Sequence, residues 1–239
     1  MITNTGENIM QEKSKYRNII FDLGGVLIDW RPKDFLKAIF VDQPEVLKKF
    51  AQGLGGNVKD EFEKIGQSAN RGTMTVDQFS QALAQSLDID LHHAAYYVEK
   101  LPSYLVPIEQ GLDILRKVKQ AGYKVYILSN FPREWFDPIE QQYDFFKLFD
   151  GGIISYRVGQ VKPEPEIYHT LLNQYELVSD ECLFIDDLPQ NIEAGIACGI
   201  DGIICSDHTY VAQELERLFV LSSVQTDEDK VDVIISQTD

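Results

Sequence analysis

Residues 17–27 read Arg17-Asn18-Ile19-Ile20-Phe21-Asp22-Leu23-Gly24-Gly25-Val26-Leu27, a short apolar run that ends on a carboxylate and passes into glycines. A run of that length without polar alternation predicts a strand buried on both faces, and the Gly24-Gly25 pair predicts a tight loop at its carboxyl end. Strands covered on both faces belong to parallel sheets flanked by helices, so the stretch asks for an α/β fold, and the chain downstream answers it. Ile108, Leu112, Leu115 and Val118 mark the inner face of a helix that Gly122 ends, and Lys124 to Leu128 follows as a strand. Ile153-Ile154 predicts a short strand, Glu166 to Tyr175 a helix, and Cys182 to Ile185 another strand. Asn191 to Cys198 reads as a helix stopped by Gly199, Gly202 to Cys205 as a last strand and Val211 to Phe219 as a last helix. With Arg17 to Phe21 this makes about five parallel strands in a doubly wound, Rossmann-like sheet.

Residues 33–104 break that alternation. Phe35, Leu36, Ile39 and Phe40, then Phe79, Leu83 and Leu87, recur at helical spacing, and no stretch reads as a strand. Thr75-Val76-Asp77-Gln78 has the form of a capping box and sets one helix start. The expected organisation is a core of residues 17–32 and 105–220, a helical cap of residues 33–104, an N-terminal extension (1–16) and an acidic C-terminal tail (221–239). In the tail, Val231 to Ile235 forms a strand only against a partner edge. A cap inserted after the first strand lies over the carboxyl edge of the sheet, where it can exclude water.

A chain of 239 residues with 44% hydrophobic residues can bury a full core. Its formal charge of -16 repels nucleic acid and anionic membranes, so neither is an expected partner. Residues 1–16 lack the apolar stretch of a signal peptide and no run reaches membrane-spanning length, which predicts a soluble, cytoplasmic protein. The odd number of cysteines, Cys182, Cys198 and Cys205, reads as reduced core thiols. Oligomeric state is not legible.

The chemistry lies in four segments: Asp22; Ser129-Asn130 after Val125 to Leu128; Lys162-Pro163; and Asp186-Asp187 after Leu183-Phe184-Ile185. Ligands of open parallel sheets bind outside the carboxyl ends of the strands, so segments far apart in sequence can converge there. One carboxylate, one hydroxyl, one ammonium and an acidic pair form a phosphoryl-transfer set, with Asp22 placed for in-line attack on phosphorus. Ser129 can hold a phosphoryl oxygen or cap its turn, Lys162 can be a solvated loop lysine, and the acidic pair can cap the helix near Asn191. Clustered carboxylates raise one another's pKa unless cations compensate. Hard oxygen donors with no histidine or cysteine beside them favour Mg²⁺ over zinc.

In this order, Phe21-Asp22-Leu23-Gly24-Gly25-Val26, Leu128-Ser129-Asn130, Val161-Lys162-Pro163-Glu164-Pro165 and Phe184-Ile185-Asp186-Asp187 resemble the haloacid dehalogenase superfamily of aspartate-nucleophile hydrolases, in its subgroup with a helical cap after the first motif. The likeness covers residues 17–220 and is greatest to bacterial sugar-phosphate phosphatases, the alpha-glucose-1-phosphate type among them. It implies Asp22 as nucleophile, Ser129 and Lys162 as catalytic partners, and Asn130 and Gly25 beside the substrate. It further implies Mg²⁺ on the Asp22 side chain, the Gly24 carbonyl and the Asp187 side chain, with Asp186 auxiliary, and a small phosphorylated metabolite as substrate.

One departure matters. Most phosphatases of the superfamily carry a second aspartate two residues after the nucleophile, and here that position is Gly24. General acid–base catalysis contributes about 10²–10⁴-fold, roughly 3–5 kcal/mol of barrier. Three consequences stand open: a leaving group that needs little protonation, a donor such as His92, His93 or Asp29 or a bound water, or a phosphate-binding regulatory module with little turnover. A 2-haloacid dehalogenase is the other enzymatic alternative; it needs no metal, whereas the acidic pair points to one.

Overall fold

The computed structural model describes residues 14–218, 220 and 221; the strand expected at Val231 to Ile235 lies outside the described residues. Five strands, β1 (Asn18–Phe21), β2 (Lys124–Ser129), β3 (Gly151–Ile154), β4 (Cys182–Asp186) and β5 (Asp201–Ile204), form one parallel sheet in the order β3-β2-β1-β4-β5. This is the doubly wound α/β fold. β1 is central because its residues are apolar enough to be buried on both faces: Ile19, Ile20 and Phe21 are at most 1% exposed. The pleat divides them between two cores, Ile19 and Phe21 on one face of the sheet and Ile20 on the other.

Between β1 and β2 the chain makes α1 (Pro32–Ile39), α2 (Pro44–Gly55), α3 (Lys59–Asn70), α4 (Val76–Leu87), α5 (Leu91–Lys100) and α6 (Glu109–Gln120). Among the described residues no strand lies between the first five, and Phe50 of α2 packs on Phe40, at the end of α1, and on Tyr97 of α5, with ring centroids 5.3 and 4.9 Å apart. The capping box at α4 forms both bonds: Gln78 N donates to Thr75 Oγ1 at 3.2 Å and Thr75 N to Gln78 Oε1 at 2.9 Å.

After β2 come α7 (Arg133–Gln142), the single turn α8 (Ser155–Val158), α9 (Pro165–Gln174), α10 (Pro189–Ala197) and α11 (His208–Arg217). Several boundaries differ from the sequence reading by one or two residues. α10 starts at Pro189, before Asn191, because proline at the first helical position gives up no bond the helix would have made. α7 has no counterpart in that reading; Pro138 inside it interrupts the helical signal, yet Trp135, Phe136 and Ile139 bury a face firm enough to hold it. Tyr16, assigned to the extension, is 5% exposed and joins the core, its hydroxyl donating to Asp201 at 2.7 Å.

Candidate active site

Strand register builds the site. β1 pairs with β4 so that Phe21 faces Ile185, which sets Asp22 and Asp186 level at the carboxyl edge, and the Asp22 amide donates to the Ile185 carbonyl at 2.9 Å. On the other side Phe21 faces Ile127, so Ser129 closes β2 within reach of the same carboxylate. Ser129 Oγ donates to Asp22 Oδ1 at 2.7 Å, and Lys162 Nζ stands 2.9 Å from that oxygen. Both contacts fall on Oδ1, which leaves Oδ2 without a protein donor among the described residues.

Lys162 is buried, its side chain 1% exposed, and also donates to Asp186 Oδ2 at 2.6 Å. Its main chain is gripped at two points by the Asn130 side chain, which accepts from Lys162 N at 2.8 Å and donates to Lys162 O at 2.9 Å. Asp186 is saturated: besides Lys162 it accepts from the Leu188 amide at 2.8 Å and from Asn191 Nδ2 at 2.9 and 3.0 Å. The acidic pair does not cap α10, whose N-cap is Leu188 with no side-chain cap bond; Asp186 instead braces the turn that leads into the helix. Asn191, 3% exposed, is a site residue that the sequence reading passed over. Its only signal was a polar residue in the first turn of a helix four residues past the acidic pair.

Electrostatics follow from burial. Desolvation pushes the Asp22 carboxyl up to about 7, with Lys162 pulling it down, Asp186 pushing it further up and the Ser129 hydroxyl opposing. Burial acts against the Lys162 ammonium too, but Asp186 and Asp22 outweigh it and its pKa ends above the ordinary lysine value. Burial and the Asp186 charge raise Asp187. Three carboxylates thus surround one ammonium, and the set is short of positive charge.

The donors fit a hard divalent cation. Asp22, Asp186 and Asp187 each offer an oxygen within 4.8 Å of the others, and with both Asp186 oxygens already engaged, Asp22 and Asp187 are the side chains left to bind it. Among the described residues no main-chain amide donates to the Gly24 carbonyl, so it too is available. Gly25 explains its own identity: at φ +73°, a Cβ there would lie 2.5 Å from Asp187 Oδ2, so only glycine lets that carboxylate rest against the loop.

Above the edge lies a cavity of about 310 Å³. Asp22, Gly24, Ser129, Asn130, Lys162 and Asp187 form its floor, and side chains from α3, α4, α5 and the β2–α7 stretch wall it. His92, His93 and Asp29, the candidate proton donors, do not line it. His93 packs on Phe40, and Asp29 is held by Arg31 at 2.9 Å, so both follow local partners away from the floor.

Residues 16–199 match the family model of the haloacid dehalogenase-like hydrolases. The chain belongs to that family. This haloacid dehalogenase-like hydrolase is 28% identical over 203 residues to a sesquiterpene phosphatase, astK, of Aspergillus oryzae, covering 85% of this chain and 96% of that protein. It is 27% identical over 201 residues to a D-ribitol-5-phosphate phosphatase of Bacteroides thetaiotaomicron, covering 77% and 89%. Its fold superimposes with a TM-score of 0.58 and 25% identity on a HAD family enzyme of Bacteroides thetaiotaomicron in complex with magnesium and inorganic phosphate, covering 79% of this chain and 93% of that one. The chain is a hydrolase of this family, curated relatives of which are phosphatases, and it shares the fold of its solved relatives.

Proposed function

We propose that the protein is a Mg²⁺-dependent phosphatase of small phosphomonoesters that works through an aspartyl phosphate on Asp22. The observation that carries this reading is the one-sided support of Asp22: Ser129 and Lys162 hold Oδ1, and Oδ2 has no protein donor among the described residues, at the floor of a cavity. In the first step an Asp22 oxygen forms a bond to phosphorus while the bond to the ester oxygen breaks, and that oxygen departs with the electron pair as an alkoxide, which takes its proton from water. In the second, water attacks the same phosphorus, the carboxylate leaves and inorganic phosphate is released. Lys162 opposes the effect of burial on the nucleophile's carboxyl and faces the charge on the transferring group. Asn130 and Asp186 position Lys162. Asp22, Asp187 and the Gly24 carbonyl would hold Mg²⁺, which would supply positive charge to a site short of it. The solved relative that holds magnesium and phosphate supports the same assignment.

The helices of residues 33–104 act as the cap in this reading, since they wall the cavity opposite Asp22. Three free thiols suit a cytoplasmic setting. Among the described residues no helix is long and apolar enough to cross a membrane.

The test is trapping. Acid-quenched protein treated with acetyl phosphate and Mg²⁺ should carry one phosphoryl group on the peptide containing Asp22, and 4-nitrophenyl phosphate should be turned over repeatedly. Asp22→Asn should lose both activities while unfolding at the wild-type temperature; full turnover by this variant would remove the nucleophile assignment. A single burst with no further turnover would instead leave a phosphate-binding module. Chloride release from 2-chloropropionate with no phosphate release from any ester would make it a dehalogenase.

A further inference from the structure

The cavity over Asp22 is walled by rings and hydrocarbon. Phe62, Phe79, Leu83 and Tyr97 come from the helical cap, Phe131 and Trp135 from the chain after β2. The polar handle of Trp135 points elsewhere, its indole N–H donating to the Val98 carbonyl at 3.0 Å. On the floor, Asn130 is taken up by the Lys162 main chain and Asn191 by Asp186. Above the floor, Asn70, the Tyr97 hydroxyl and the Trp30 indole N–H are the polar side-chain groups that an organic substituent would meet. A sugar or polyol brings several hydroxyls, each costing about 1–3 kcal/mol if stripped of water without a partner, and these three groups, two of them donors or acceptors on aromatic rings, cannot serve them all. An apolar substituent gains roughly 25 cal/mol per Å² on the same walls.

Gly66 points the same way. It sits inside α3, where glycine costs about 1 kcal/mol against alanine, yet a Cβ there would meet nothing within 4 Å. No neighbour requires the missing side chain. The space it leaves is part of the cavity, which Gly66 lines. At about 310 Å³ the chamber is at the small end of ligand pockets, which run roughly 300–1,000 Å³, so the group it takes is compact.

Resting on the phosphatase reading above, we propose that the substrates are phosphomonoesters of compact apolar alcohols or phenols, held against the aromatic wall of the cap, and not the sugar phosphates implied by the resemblance.

The experiment compares kcat/KM, with Mg²⁺, for 1-naphthyl phosphate, geranyl phosphate, glucose 1-phosphate, ribitol 5-phosphate and acetyl phosphate, the last being too small to reach the walls. An apolar pocket rejects even a single added hydroxyl by up to about 10², so at least one apolar ester should exceed both polar ones by about 100-fold, chiefly through KM. Preference for the naphthyl ester would mark a ring as the occupant and preference for the geranyl ester a chain; either supports the proposal. Gly66→Leu, which improves the helix while filling the chamber, should lower the ratio of apolar-ester to acetyl phosphate kcat/KM by about tenfold or more. Sugar phosphates turned over as well as the apolar esters, or a ratio unmoved by Gly66→Leu in a folded variant, would overturn the proposal and leave the phosphatase standing. Hydrolysis of none of the five, acetyl phosphate included, would overturn the phosphatase reading and this proposal with it.

Discussion

At Gly24 a Cβ would meet only the Trp30 side chain, at the ordinary distance of 3.8 Å, so an aspartate fits there without displacing the loop. Gly24→Asp is therefore expected to speed hydrolysis of alkyl phosphates, whose alkoxide needs a proton, by up to about 10²-fold. It should change 4-nitrophenyl phosphate little, and an equal gain for both esters would show that proton transfer is not what the wild type lacks. The pKa of Asp22 yields a second expectation. Because burial raises it to about 7, the fold without a cation favours the protonated carboxyl. That stabilising contribution is full below the unfolded carboxyl pKa, near 4, and is lost as pH rises through about 7. A cation competes with that proton. Mg²⁺ should accordingly raise the unfolding temperature more at pH 8 than at pH 5, and an equal rise at both would count against Asp22 as a ligand. The identity of Asp22 was legible in residues 17–27, since an apolar strand ending on a carboxylate is a local pattern. The reason for Gly25 was not, because the atom it avoids belongs to Asp187, far along the chain.

Among the elements, β3 is the one whose sequence signal was weakest, and it is held by a charge clamp. Asp150, just before β3, accepts from the Val125 amide and from Lys124 Nζ, each at 2.9 Å, and pairs with Lys119 of α6. Burial pushes its carboxyl up, but bonds from Lys119, Lys124 and Val125 outweigh that and hold it at about 2. The clamp's stability is present above the unfolded pKa near 4 and is lost as pH falls through about 2. Asp150→Ala should therefore lose about 1 kcal/mol at pH 7, solvent screening of the two lysines included. The deficit should vanish in acid denaturation curves near pH 2. The start of α4 was readable to the residue, because a capping box lies within four consecutive residues. α7 was not: its proline weakens the local pattern, and packing of Trp135 against Phe79 and Tyr97, with ring centroids 5.7 and 6.2 Å away, makes the helix worthwhile.

The whole molecule is joined at the turn after α3. Arg71 pairs with Glu164 and donates to the Gly159 carbonyl at 3.2 Å, on the loop that carries Lys162. Beside it the buried Ser155 hydroxyl donates to the Asn70 carbonyl at 2.6 Å and accepts from the Phe131 amide at 2.9 Å. The turn after α3 and the sheet thus meet where the floor of the site is built. Arg71→Ala should cost no more than about 1 kcal/mol, as the pair is partly exposed, yet it should speed amide exchange of residues 68–75 relative to the sheet. Unchanged exchange there would mean that the Arg71 contacts do not hold the turn. By itself the sequence determined the doubly wound sheet, the helical character of residues 33–104 and the four segments at the carboxyl edge, because periodicity and strand-end residues act within a few positions of the chain. Tertiary structure alone decided that both Asp186 oxygens are spent on Lys162, Leu188 and Asn191, that the histidines stand apart from Asp22, and that the chamber is apolar. Those outcomes depend on which side chains from distant segments come within a few ångströms of one another, a matter of packing that no local pattern records.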